Sequence, residues 1–361
     1  MTDNILKRLR PELGSLSAYK VAPSDGYVKL DAMENPYQWS EELNQQWLNH
    51  LSHAAINRYP DPDPESLKHS LQKQFGPRDE NIQFLLGNGS DELIQLLVLA
   101  IARPGASVLT VSPSFSMYQI ISEMLGVSCH SVALDKHYEI DLEAMLSAIK
   151  THDPSLIFLA YPNNPTGNLW SRADLQTIIE ASRGIVVIDE AYGPFASDSF
   201  VDDLRHYPHV VLLRTASKLG LAGLRFGWLA GHASLIGELN KLRLPYNINL
   251  LTQLTMQFAL DHYNVLAEQA AILCQDRDRL TDTLTAMSDI QVYPSEANFL
   301  LFKVNDKNVD DVFSQLLASN ILIKNVSHQA GLADCLRVTV GTEAENQAFV
   351  NALSEALTQR T

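Results

Sequence analysis

Leu156-Ile157-Phe158-Leu159-Ala160 is an unbroken apolar run that ends in the polar turn Tyr161-Pro162-Asn163-Asn164-Pro165-Thr166-Gly167. A helix-period segment from Ala173 to Glu180 follows. A second apolar run, Ile185-Val186-Val187-Ile188, then ends in Asp189-Glu190-Ala191-Tyr192. Two short apolar runs separated by a helical pattern make a βαβ unit, whose parallel strands are covered on both faces. Ser107 to Val111 and Val210 to Leu213 repeat the strand pattern, and Leu142 to Ile149 repeats the helical one. The expected fold is therefore α/β, with a mainly parallel central sheet flanked by helices.

Working outward, Gly87-Asn88-Gly89-Ser90 precedes a helical pattern from Asp91 to Ala102, with two acids in its first turn. Tyr246 to Tyr293 holds no glycine or proline, and Leu273, Leu280, Leu284 and Met287 share one helical face there. After Pro294, three strand-like runs (Asn298 to Phe302, Ile321 to Ile323, Leu336 to Val340) alternate with helical segments at Val309 to Leu317 and Glu343 to Leu357. This pattern predicts a second, smaller α/β domain. We expect residues 1–50 to be an arm packing with that small domain, 51–250 the large domain and 251–361 the small one; Pro36, Trp39 and Trp47 mark the arm.

Composition narrows the function. The chain has 361 residues, 46% hydrophobic and 19% charged, the profile of a soluble globular protein. A net charge of −15 argues against nucleic-acid binding, which needs clustered Lys and Arg. The three cysteines are far apart, as in a reducing compartment. No apolar run suits a signal peptide or a membrane span, so a cytoplasmic location is expected. His50/His53 and His206/His209 lack further ligand spacing, which leaves no metal site, and no GxSxG elbow is present.

In open parallel sheets, ligands collect beyond the carboxyl ends of the strands. Four polar clusters occupy those ends here. One is Ser112-Pro113-Ser114-Phe115-Ser116-Met117-Tyr118, two are the turns after Ala160 and Ile188, and the fourth is Thr215-Ala216-Ser217-Lys218-Leu219-Gly220-Leu221-Ala222-Gly223-Leu224-Arg225. Taken singly, each has an ordinary reading: Lys218 as a surface lysine, the Asn-Asn-Pro-Thr-Gly segment as a turn, Asp189 as a helix cap. Together they suit a phosphorylated aldehyde. An amine bonds the aldehyde, hydroxyls and a guanidinium hold the phosphate, and an acid after a buried strand needs a cation such as a protonated pyridine. The glycine turn before Asp91 adds free amides for an anion, without the spacing of a dinucleotide or nucleotide-triphosphate loop.

These residues resemble the fold-type I aminotransferases that use pyridoxal 5'-phosphate, and within them the histidinol-phosphate aminotransferases. The likeness spans nearly the whole chain. It includes Asn57-Arg58-Tyr59-Pro60, the PNNPTG turn, DEAY, the Lys218 segment, Pro245-Tyr246-Asn247, Ser295-Glu296-Ala297-Asn298-Phe299 and Leu336 to Thr342. The resemblance implies that Lys218 bonds the cofactor aldehyde and moves the substrate α-proton, that Asp189 keeps the ring nitrogen protonated, and that Asn164 and Tyr192 bond the ring oxygen. Phe115 would stack on the ring, with Tyr118 as second choice. Gly89, Ser90, Asp91, Thr215, Ser217 and Arg225 would hold the phosphate, and Tyr59 would reach the neighbouring subunit's phosphate in a homodimer. Arg337 would grip the substrate anion, Lys324 takes a place where relatives often carry a second arginine, and Tyr19 would close over the substrate.

The implied reaction is ping-pong transamination of histidinol phosphate with 2-oxoglutarate, giving imidazole-acetol phosphate and glutamate. A decarboxylase of a phosphorylated amino acid such as threonine phosphate needs the same lysine, acid and anion clamp. An aromatic aminotransferase is a third reading, and a non-enzymatic cofactor-binding module a fourth.

Overall fold

The structure is a computed structural model that describes residues 7–10, 14 and 23–358. Its central sheet has seven strands: β2 (Ile82–Gly87), β3 (Ser107–Ser112), β4 (Ser128–Ala133), β5 (Leu156–Ala160), β6 (Ile185–Asp189), β7 (Val210–Thr215) and β8 (Gly227–His232). They lie in the order β2-β8-β7-β6-β5-β3-β4. The β4-β3-β5-β6-β7 pairs are parallel, and β8 pairs antiparallel with both β7 and β2. The expected mainly parallel sheet is thus present, with one reversed strand.

Alternation along the buried strands builds two cores, one on each face of the sheet. Ile157, Leu159, Val186, Ile188, Val210 and Leu212 face one side. Their sequence neighbours Leu156, Phe158, Val187, Val211 and Leu213 face the other. Period-two alternation with both faces apolar is what a parallel sheet under helices requires. On the first face pack α1 (Glu65–Phe75), α2 (Leu142–His152) and α3 (Arg172–Ala181), through residues such as Leu71, Met145 and Ile178. On the second packs the helix Ser90–Ile101, through Leu93, Ile94 and Leu97.

Beyond the sheet, Met256, Ala259, Leu260 and Leu266 still belong to the first core. Leu280 and Leu284 belong to the core of the smaller unit. The helix Tyr263–Thr285 therefore carries residues of both cores and spans the passage between them. The smaller unit contains an antiparallel sheet in the order β12 (Lys324–Asn325), β13 (Cys335–Thr339), β10 (Phe299–Val304), β9 (Ile290–Val292). From the N-terminal arm, β1 (Val28–Lys29) pairs in parallel with β11 (Ile321–Leu322). The chain leaving β1 thus starts on the small unit and crosses to the carboxyl edge of the large sheet. Among the described residues, no helix is long and apolar enough to cross a membrane.

Candidate active site

A cavity of about 240 Å3 lies beyond the carboxyl ends of β2, β3, β5, β6 and β7, under the arm residues Ala32, Met33 and Glu34. Its lining includes Ser90, Asp91, Phe115, Tyr118, Asn164, Asp189, Tyr192, Thr215, Ser217, Lys218 and Arg225. Eleven of the side chains singled out from the sequence are therefore brought together by strand ends that lie far apart in the chain.

At the phosphate-sized end, Gly89 precedes the helix Ser90–Ile101 with φ 84°, a left-handed setting open to glycine at little cost. A Cβ on Gly89 would come within 2.6 Å of Arg225 Nη2, so the absent side chain is what lets the guanidinium reach the helix terminus. Gly227 on β8 serves the same approach from below: its Cβ would stand 2.8 Å from the amide nitrogen of Ser90. The hydroxyls of Thr215 and Ser217 are 2.9 Å apart on the same side. Arg225 Nη2 lies 3.4 Å from Asp91 Oδ2. Helix-terminal amides, two hydroxyls and a guanidinium converge here, a set suited to a phosphate.

At the opposite end, two adjacent acids have different environments. Glu190 is fully buried, and its carboxylate takes Arg214 Nη2 at 2.5 Å and Nε at 3.0 Å together with the amide of Phe200 at 2.7 Å. Asp189, 4% exposed, accepts the Tyr118 hydroxyl at 2.6 Å and the Ala191 amide at 3.0 Å and has no cation. Burial pushes its carboxyl up to about 6, while those two hydrogen bonds pull the other way. A buried acid with hydrogen bonds but no positive partner is an unfinished ion pair. A basic ring nitrogen placed against it would complete the pair.

Lys218 stands between the two ends, on the short helical turn Ser217–Leu219 that closes at the left-handed Gly220. Its Nζ donates to the Ala32 carbonyl at 3.0 Å and sits 5.7 Å from the Tyr192 ring centre. Burial, and then the charge of Arg337, bring its amine down to about 8. A lysine that is partly neutral near physiological pH is a nucleophile toward aldehydes and a proton carrier. Asn164 donates through Nδ2 to the Tyr192 hydroxyl at 3.1 Å and accepts Arg337 Nη1 on Oδ1 at 2.6 Å. Asn163 next to it has a structural task, donating to the Pro113 carbonyl at 3.0 Å and to Thr166 at 2.7 Å. The cavity thus fits a phosphorylated aromatic aldehyde with a basic ring nitrogen: cradle at one end, acid at the other, amine between.

The remaining sequence-derived residues lie around this group. Arg337 is buried on β13 behind Asn164, and Lys324 stands directly opposite it on β12 but is exposed; neither belongs to the cavity lining itself. Tyr59 is 81% exposed and stacks on Tyr246 at 4.6 Å between ring centres. Tyr19 lies outside the described residues. Phe115 lines the cavity, whereas Tyr118 stacks on Phe158 at 4.5 Å and turns its hydroxyl to Asp189.

Sequence reasoning assigned nothing to the segment Asp31-Ala32-Met33-Glu34. It crosses the mouth of the cavity and works through its backbone: the Asp31 carbonyl accepts Arg337 Nη2 at 2.8 Å and the Ala32 carbonyl accepts Lys218. Met33, at φ 52°, is pinned by the Thr339 hydroxyl and by Asn298 Nδ2. A left-handed methionine costs free energy, which those two bonds offset.

The aminotransferase class I and II family matches residues 25–353 of the chain. "Histidinol-phosphate aminotransferase 2" of Nitrosococcus oceani is 50% identical over 352 residues, 97% of this chain and 98% of that protein. Among solved structures, the histidinol-phosphate aminotransferase of Sinorhizobium meliloti in complex with pyridoxal-5'-phosphate superposes with TM-score 0.85 at 24% identity, over 97% of each chain. L-threonine-O-3-phosphate decarboxylase of Porphyromonas gingivalis superposes with TM-score 0.76 at 22% identity, over 91% of this chain and 99% of that one. The two solved structures share the fold with this chain, so the fold does not separate their reactions.

Proposed function

We propose, for a chain that belongs to the class I and II aminotransferase family, that it transfers the amino group of L-histidinol phosphate to 2-oxoglutarate. The products are imidazole-acetol phosphate and L-glutamate, a step of histidine biosynthesis, and the cofactor is pyridoxal phosphate. The observation that carries the chemistry is the shared cavity wall of Lys218 and Asp189, an amine near neutrality facing a buried acid without a cation. The substrate follows from the 50% identity to the Nitrosococcus oceani enzyme over nearly the full length.

Pyridoxal phosphate, when bound, supplies an aldehyde that captures amines, a protonated ring that draws electrons from the substrate α-carbon, and a place for the amino group between half-reactions. The chain's residues do the rest. Lys218 would hold the cofactor in the resting protein and, once the substrate amine has taken its place, would carry the proton at the substrate α-carbon, a role its depressed basicity suits. Asp189 holds the proton on the ring nitrogen, and Tyr118 fixes the carboxylate that does so. The Tyr192 hydroxyl accepts from Asn164 and so keeps its own proton for the ring oxygen. Phe115 walls the ring face. Gly89, Ser90 and Asp91 offer helix-terminal amides to the cofactor phosphate, with Thr215, Ser217 and Arg225 adding hydroxyls and charge.

Arg337, held through Nη1 by Asn164 and through Nη2 by the Asp31 carbonyl, offers its guanidinium charge to the substrate anion. Lys324 adds a point charge on the same face of the small sheet. The active unit in this reading is a homodimer in the cytoplasm, with Tyr59 reaching the neighbouring subunit's cofactor phosphate. The exposure of Ile56, Tyr59 and Leu244, at 79%, 81% and 74%, supports an apolar surface awaiting a partner.

The test is to mix the cofactor-loaded protein separately with histidinol phosphate, phenylalanine and threonine phosphate. Rapid loss of the cofactor's visible band with histidinol phosphate alone is expected; carbon dioxide release from threonine phosphate would refute the reading. Arg337→Ala should raise KM for histidinol phosphate by about 100-fold, the scale of a lost charge-assisted fork. Cofactor affinity, measured by fluorescence titration, should change far less; equal losses in both would remove Arg337 from substrate binding.

A further inference from the structure

Lys29, on β1, and Glu34, beyond the Met33 turn, form an ion pair at the open side of the cavity. Lys29 Nζ also lies 3.2 Å from Asp31 Oδ1. The side chains of Lys29 and Glu34 keep 31% and 47% of their surface exposed. Glu34 lines the active cavity beside Lys218 and Ala222. The same Glu34, together with Lys29, lines an adjoining cavity of about 320 Å3 that shares Ser217 and Ala222 with the first. Of the acids among the described lining residues, Asp189 lies beneath the ring site and Asp91 pairs with Arg225. Glu34 is the carboxylate left facing the substrate's route.

The proposed reaction sets this site a conflict of charge. Histidinol phosphate brings an imidazole and no carboxylate. Glutamate and 2-oxoglutarate bring a second carboxylate in the place of the ring. A fixed cation suits the second pair and disfavours the ring; a fixed anion does the reverse. Arg337 is buried and anchored by two acceptors, so it cannot change sign or place between half-reactions. A partly exposed ion pair opens at small cost, because its Coulomb gain is weak in high dielectric.

We propose that Glu34 and Lys29 are specificity-determining residues that serve the two substrates in turn. Glu34 accepts the imidazole N–H of histidinol phosphate while Lys29 stays on Asp31. Lys29 turns to the distal carboxylate of glutamate or 2-oxoglutarate while Glu34 swings to solvent. The inference rests on the histidinol-phosphate reading above.

The experiment follows each half-reaction separately by stopped-flow absorbance of the cofactor, for the wild type, Glu34→Gln and Lys29→Met. Glu34→Gln should lower kcat/KM for histidinol phosphate about thirtyfold, mainly through KM, the scale of a lost hydrogen bond to a charged group. It should raise kcat/KM for glutamate a few-fold. Lys29→Met should show the mirror image. Glu34→Asp, which keeps the charge on a shorter arm, should fall between Glu34→Gln and the wild type. Calorimetric binding of two unreactive probes supplies a second readout. Imidazolylpropyl phosphate should weaken with Glu34→Gln only, and glutarate with Lys29→Met only. If both variants shift both substrates in the same direction by similar factors, the pair merely supports the Met33 turn and the inference falls. A wild type that ignores histidinol phosphate would instead refute the reading beneath it.

Discussion

Lys218→Ala is expected to reduce turnover by at least about 10^4-fold while leaving the fold and the phosphate cradle in place. The size follows from two losses at one atom. In the proposed reaction Nζ is the amine that would fix the cofactor covalently, and it would also be the base at the substrate α-carbon. No other amine among the cavity's described lining residues replaces it. Borohydride treatment should attach pyridoxal phosphate to the wild type, detectable by mass, and fail to attach it to the variant. Methylamine in solution should restore a small part of the activity. A free amine lacks the effective concentration of a positioned side chain, which reaches about 10^5 M or more, so recovery stays partial. In the wild type, the rate at which cofactor-free protein captures pyridoxal phosphate should rise with pH through a midpoint near 8, where burial and Arg337 have brought the amine. A midpoint near the ordinary lysine value of 10.5 would mean a solvated amine and would sink the assignment.

The parts of this site that were legible in the sequence share a physical signature. Asp189 directly follows an apolar run, and Asn164 and Lys218 stand in the turns that follow two others, so the strand pattern itself carries them to one edge of the sheet. The strands β5, β6 and β7 were legible for the same reason: buried on both faces, they are apolar up to their carboxyl ends. β4 was not, because Ser128-Cys129-His130-Ser131-Val132-Ala133 is a half-exposed edge with little apolar signal. β8 carries two glycines, one of which exists to let the Ser90 amide approach. Tyr118 was placed as a ring-stacking alternative, yet its hydroxyl reaches Asp189 from the first turn of the helix Met117–Met124, a contact that no spacing rule encodes. The Asp31–Glu34 segment was missed because it acts through peptide carbonyls, and every residue has one. Only Met33 at positive φ distinguishes it, and a backbone angle is invisible in a residue name. The motif Ser295 to Phe299 was legible as a resemblance but not as mechanics. Its Glu296 amide bonds the Gly167 carbonyl at 2.7 Å, which joins the PNNPTG turn to the small unit.

Asp189→Asn should cripple the enzyme and yet stabilise the cofactor-free protein. The carboxyl of Asp189 releases its proton near 6 in the folded chain, against an ordinary value of 3.8, chiefly because burial disfavours the charge. A folded state that holds the proton more tightly than the unfolded one loses stability as that proton leaves. The contribution is complete below 3.8 and is lost as pH rises through 6. At pH 8 the buried charge costs about 3 kcal/mol, from roughly two units of displacement. Asparagine keeps the shape: its Oδ1 accepts the Ala191 amide and its Nδ2 donates to the Tyr118 hydroxyl, with no charge. The cofactor-free variant should therefore melt about 2–4 °C above wild type at pH 8, and the gap should close toward pH 4. Loading with pyridoxal phosphate should reverse the order, because the wild-type carboxylate then meets a ring cation and the amide does not. Activity should fall on the order of 10^2–10^3-fold, the scale of losing a preorganised charge at a reacting group. Glu190, already paired with Arg214, supplies the contrast: Glu190→Gln leaves Arg214 without its anion and should destabilise the protein whether or not the cofactor is bound. If Asp189→Asn instead lowered the melting temperature of the cofactor-free protein at pH 8, the carboxylate would not be waiting for a cation, and the placement of the ring nitrogen against it would fail.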